Sequence, residues 1–101
     1  MKDQTTAEIV RQFSEFVAEL RTQQNSALPG FDGGNIPVII GRQAQHLAAG
    51  YLHENAFSLL MHAAKLTLGF RMAAEAGELS EADCKQRIDV AVKEVAKHLD
   101  E

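Results

Sequence analysis

The chain reads as an all-α domain of three helices, a long central one flanked by two shorter ones. Three observations carry that expectation. Apolar residues recur at helical spacing over most of the chain, two capping signatures mark helix starts, and both prolines fall between positions 29 and 37. At 101 residues the chain is expected to be a single domain, 1–101, and 46% hydrophobic with 24% charged residues is the composition of a folded chain. Trp is absent, so Leu, Val, Ile, Ala and Phe must build the core.

The first helix opens at Thr5, where Glu8 three residues on gives capping-box spacing. Ile9, Val10, Phe13, Phe16, Val17 and Leu20 form its apolar stripe, and it should fade near Thr22 to Asn25. Residues 26–41, SALPGFDGGNIPVIIG, break the pattern. Pro29-Gly30 and Gly33-Gly34-Asn35 are turn chemistry, and Pro37 biases Ile36 away from helical backbone. Val38-Ile39-Ile40 is then expected as an extended segment pinned to the helices by its side chains.

From Arg42 to Ala76 the periodicity predicts one long helix, loosened at Gly50 or Gly69 and closed by Gly77 as its C′ residue. Ser80 with Asp83 starts the third helix, whose stripe is Cys84, Ile88, Ala91, Val92, Val95 and Leu99. Lys85 with Asp89, and Asp89 with Lys93, are candidate ion pairs on its outer face.

The long helix is the most informative element. At 100° per residue Glu54, Asn55, Ser58, His62, Lys65 and Gly69 share a solvent face with Tyr51. One apolar flank carries Leu52, Ala56, Leu59, Ala63, Leu66 and Phe70, bounded by Ala48 and Ala73; the other carries Gly50, Phe57, Met61, Ala64, Leu68 and Met72. Leaving one flank in water would forfeit several kcal/mol at about 25 cal/mol per Å². Either the two shorter helices take one flank each, or one flank packs on a second copy of the chain.

Other readings are narrowed by composition. A net charge of −4 with no basic run argues against nucleic-acid binding, and suits either a basic protein partner or a solvated acidic exterior. The lone Cys84 cannot form an intramolecular disulfide, and at the head of an apolar stripe it reads as a small core residue. MKDQTTAEIVRQ lacks an apolar h-region, so no secretory leader is expected, and Leu47 to Leu68 is too interrupted by polar residues to span a membrane; a cytoplasmic location is the expectation.

No catalytic or metal set converges, so neither an enzyme nor a cofactor or metal is expected. His46 and His53 share a helix face but stand about 10 Å apart at 1.5 Å per residue, too far for one ion. Glu54, Ser58 and His62 put the carboxylate beside the serine rather than the imidazole, the wrong order for a triad. Gly30 to Gly41 matches neither phosphate-loop pattern and reads better as a recognition loop.

The expected function is therefore non-enzymatic protein–protein interaction, with the chain as a homodimer. Phe31, Asp32, Asn35 and Ile36 of the loop and Phe57, Met61 and Leu68 of the helix flank are the candidate partner-binding residues. The alternative is a small-ligand or anion site at a subunit interface, lined by Arg42, His46, His53 and Arg71, which lie opposite Ser58 among Ala49, Leu60 and Thr67.

Overall fold

Four helices, not three, follow one another in the described residues of the computed structural model, which are 5–25 (for 24 and 25 the backbone alone) and 36–101. They are α1 (Thr6–Asn25), α2 (Ile36–Ala48), α3 (Ala56–Glu75) and α4 (Glu81–Leu99), and no strand occurs among the described residues. α1, α3 and α4 pack against one another pairwise, while α2 lies on α3 and touches α1.

The helix expected over 42–76 is broken at residues 49–55. Its hydrogen-bond ladder tightens at the end of α2, where the Gly50 amide reaches the Leu47 carbonyl at 3.1 Å and the Tyr51 amide reaches that of Ala48 at 3.0 Å. The ladder restarts with the Ala56 amide on the His53 carbonyl. Asn55 stands at the N-cap without a side-chain cap bond; instead the Asn55 amide donates to His53 Nδ1 at 3.0 Å. His53 Nδ1 is the acceptor in this contact. This seven-residue connection lets α2 fold back onto α3.

The start of α2 is a second correction. Val38-Ile39-Ile40 is helical rather than extended, and Ile36 is the first residue of the helix. Pro37 sits in the first turn, where its missing N–H is one of the donors that has no helical partner anyway. Ile36, Ile40 and Ala44, at i, i+4 and i+8, form the buried seam of α2. Burial of that seam outweighs the modest helix propensity of a β-branched run.

The other boundaries follow their expected chemistry. Thr5 Oγ1 accepts the Glu8 amide at 3.2 Å, and Ser80 Oγ accepts the Asp83 amide at 3.0 Å. Gly77 has φ +78°, with its amide on the Ala74 carbonyl and the Glu78 amide on the Ala73 carbonyl, which is a Schellman closure of α3.

The core meets along α3, whose Ala56, Leu60, Ala63, Ala64 and Thr67 are all buried. Against them stand Val10, Phe13, Val17 and Leu20 of α1, and Val92, Val95, Ala96 and Leu99 of α4. Full burial of a side chain such as Phe13 or Leu60 contributes roughly 1.5–3 kcal/mol. The core also holds one polar contact absent from the apolar pattern. The hydroxyls of Ser14 and Thr67 lie 2.8 Å apart, 2% and 1% exposed. Thr67 donates to the Ala63 carbonyl at 2.8 Å, so its single proton is occupied and Ser14 is the donor in the pair.

Ion pairs close all three seams of the bundle: Arg21 with Glu75 between α1 and α3, Arg71 with Glu81 between α3 and α4, and Arg11 with Asp89 between α1 and α4. Pairs this exposed orient helices more than they stabilise them. No described helix is long and apolar enough to cross a membrane.

Two predictions follow from this packing. Thr67→Val should cost about 1–2 kcal/mol, because the buried Ser14 hydroxyl loses its acceptor, and S14A/T67V together should cost less than the two single losses added. Urea denaturation of the four proteins measures the cycle. Gly77→Ala should destabilise by about 1 kcal/mol through its positive φ alone, since no atom lies within 4 Å of a Cβ there. Gly69→Ala, on the exposed face of α3 and equally free of contacts, should stabilise by about as much. Shifts of the same sign in thermal melts would contradict this account.

Candidate functional site

α3 is wrapped on three sides, and its fourth is where the candidate site lies. Its Thr67 side meets α1 through the Ser14 contact, and Met61 and Leu68 are partly buried against the core. Leu59, Leu66 and Phe70 are half-buried and line a groove beside α4. This open groove has a volume of about 820 Å³.

The floor of that groove is apolar: Leu59, Leu66 and Phe70 from α3, with Val90, Ala91 and Val95 from α4. Val90 is 60% exposed, and the α3 residues are half-buried. The rim is polar and of both signs, with His62 on one side and Asp83, Gln86, Arg87, Glu94 and His98 on the other. An apolar floor framed by mixed charge suits a helical or extended polypeptide segment.

A second groove, of about 1060 Å³, lies between α1 and α4 and has a different character. Arg11 and Asp89 pair across it, and Arg71 and Glu81 pair at its wall. The Cys84 thiol is buried beside it, donating to the Phe70 carbonyl at 3.4 Å with Arg71 Nη1 at 3.7 Å, which is a structural role. The hydrogen bond from Arg71 holds the Glu81 carboxyl below its ordinary range, and the same bond holds the Arg71 guanidinium more firmly protonated. Asp89 is held low by the hydrogen bond from Lys93 on its own helix and by Arg11 across the groove. The expected Asp89–Lys93 pair thus forms at 2.9 Å, with the α1 arginine completing a three-member cluster.

The residues singled out from sequence scatter. Phe31, Asp32 and Asn35 lie outside the described residues. Ile36 is only 6% exposed, so it belongs to the core of α2 and offers no binding surface. Phe57 is 40% exposed near the start of α3, whereas Met61 and Leu68 are partly buried. Leu59, Leu66 and Phe70 on the other flank are likewise half-buried, and Met72, on the Phe57 side, is 52% exposed, so both flanks of α3 keep apolar side chains partly in water.

The four cationic residues do not converge within the chain, because the helix that aligned them is interrupted. Arg42 and His46 are exposed on α2, and His53 caps the connection. Arg71 lies about 22 Å along α3 from Ala56, fifteen residues at 1.5 Å each. Leu60 and Thr67, between which the stripe was drawn, are buried. Among the described residues no group of three or more His, Cys, Asp or Glu is placed to hold a metal ion. Sequence reasoning passed over Val90, whose signal was an apolar side chain on the charged face of α4.

Compared with known proteins, the chain matches no protein-family model, no curated protein and no solved structure.

The ion pairs carry a pH dependence of defined sign. Glu81 and Asp89 ionise more readily folded than unfolded, so their contribution is fully present above the ordinary carboxylate range near pH ~4 and is lost as pH falls through their lower folded values. Stability should decline between about pH 5 and pH 3, and E81Q/D89N should flatten that decline. Urea midpoints across this window measure it; parallel curves for the two proteins would mean the pairs contribute nothing.

Proposed function

We propose that this chain works by holding another polypeptide, as an interaction protein rather than an enzyme, with the α3/α4 groove as its docking surface. The observation that carries the reading is Val90. It stands 60% exposed above a floor of half-buried Leu59, Leu66 and Phe70, and is surrounded by charges of both signs. Apolar surface concentrated in a groove and rimmed by polar groups is the pattern of a contact face, in which a few desolvated side chains supply most of the binding.

Two features support the choice of a polypeptide over a small molecule. The groove is open along two helices, so an entering helix could lay its i, i+3, i+4 and i+7 side chains along the floor. Its rim charges, moreover, are spread along the length of α4 rather than gathered at one point, which suits many weak contacts better than one anchored group.

The test is capture from a lysate of the producing cells by the immobilised chain, with quantitative mass spectrometry. Val90→Glu should reduce capture of the specific partner by about tenfold or more, since it sets a charge on the groove floor. Val38→Glu, at a residue 52% exposed on α2, should leave capture unchanged. Equal capture by V90E and the wild type would remove the groove from the function.

A further inference from the structure

We infer that the occupant of the α3/α4 groove is α4 of a second copy of this chain, packed antiparallel about a two-fold axis between Val90 and Ala91. The inference rests on the reading of the groove as a docking surface and adds the identity of what docks. It comes from the order of charges along the exposed face of α4, where Asp83, Arg87, Val90, Glu94 and His98 recur at helical spacing on the groove rim. Read in chain order the face runs acidic, basic, apolar, acidic and then a histidine.

A two-fold axis between 90 and 91 brings together residues whose numbers sum to 181. Arg87 then meets Glu94 of the partner subunit, and Glu94 meets the partner's Arg87. Asp83 faces the partner's His98, and His98 faces the partner's Asp83. Val90 stands over the partner's Ala91, which is only 9% exposed on the groove floor and whose small side chain admits close approach. Arg87 and Glu94 each stand 3.5 residues from the axis, about 5 Å along the helix, so both pairs form in one contact. An isologous interface demands this self-complementarity, because each residue must suit the residue that its own mirror position presents.

Neighbouring arrangements fail on charge. A shift of one turn to a sum of 177 sets Asp83 against the partner's Glu94, and a shift to 185 sets Glu94 against the partner's Ala91 and leaves Arg87 without a carboxylate. A parallel contact sets every charge against its own copy. Of these registers the sum of 181 alone pairs Arg87 with Glu94, and like-charge juxtaposition selects against the shift to 177.

Two of the four groups are free among the described residues, and the other two exchange contacts on their own helix, Glu94 with His98 and His98 with Glu101, for those across the axis. Arg87 and Asp83 make no side-chain ion pair with any described residue of their own chain. Glu94 lies 3.4 Å from His98 on its own helix, with both side chains about half or more exposed, at 64% and 45%. Neither Arg87 nor Glu94 touches the core, so exchanging their charges leaves the fold intact.

The experiment is light scattering coupled to size exclusion on the full chain, from micromolar to millimolar concentration. The wild type should run at twice the chain mass. R87E and E94R should each run as monomers with unchanged circular dichroism, since each sets two like pairs across the axis. The R87E/E94R double variant should recover the dimer, and mixing the R87E chain with the E94R chain should give a heterodimer, because each supplies the charge that the other needs. A wild type that stays monomeric throughout would overturn the second-copy inference while leaving the capture experiment to judge the groove. A dimer indifferent to R87E and E94R, or no recovery in the double variant, would equally overturn the pairing.

Discussion

α3 carries more apolar surface than one neighbour can cover, and the rest of the chain is arranged around that excess. Buried residues at 56, 60, 63, 64 and 67 occupy an arc of about 100° of its circumference, and partly buried apolar residues widen it on both sides. Three of the five are alanines, so the surrounding helices approach its backbone closely. Because Ser14 and Thr67 hydrogen-bond at the middle of the α1 contact, the two helices cannot slide along this smooth surface without leaving a buried hydroxyl unpaired. The apolar surface drives the packing, and the single polar contact sets its register.

That same excess explains which parts of the fold were legible in the sequence. α1 and α4 were read correctly in extent and in buried stripe, because each has one apolar face, a capping residue and a strong helical period. Val10, Phe13, Val17, Val92, Val95 and Leu99 all lie where the spacing put them. The Schellman closure at Gly77 was legible for the same kind of reason, a residue whose backbone freedom has one use there. The division of residues 36–76 into two helices was not legible. No proline marks it, Gly50 alone is a weak breaker, and the turn leaves the apolar flanks in step on both sides. The bond that stabilises the restart, from the Asn55 amide to His53 Nδ1, uses a residue type that carries no standard capping signal.

The site was legible as a kind of surface but not as a place. Reasoning from one helix established that a flank would be left over, since two short helices could not cover both. Which flank depended on α2, a helix hidden in a β-branched run that began with proline. α2 folds back onto α3, Met61 and Leu68 are partly buried against the core, and Leu66 lies at an open groove. The Arg42, His46, His53 and Arg71 stripe dissolved for the same reason: it was a property of a continuous helix that the chain interrupts. A face count can reveal surplus apolar area from sequence alone, but its location requires the topology.

α4 finally separates two uses of charge that composition cannot tell apart. Glu81 and Asp89 are engaged by Arg71 and Arg11, and their carboxyls are held low by those bonds and by Lys93. These charges serve the bundle. Arg87 and Asp83, on the groove side of the same helix, have no such partner among the described residues, and the fold does not require them to alternate in sign with Glu94 and His98. Part of that order serves the helix itself, where acid before base at i, i+4 brings Glu94 to His98. The seven-residue spacing of Arg87 and Glu94 about Val90 has no such use within one helix. It suits the contact we infer, in which the face meets its own reversed copy.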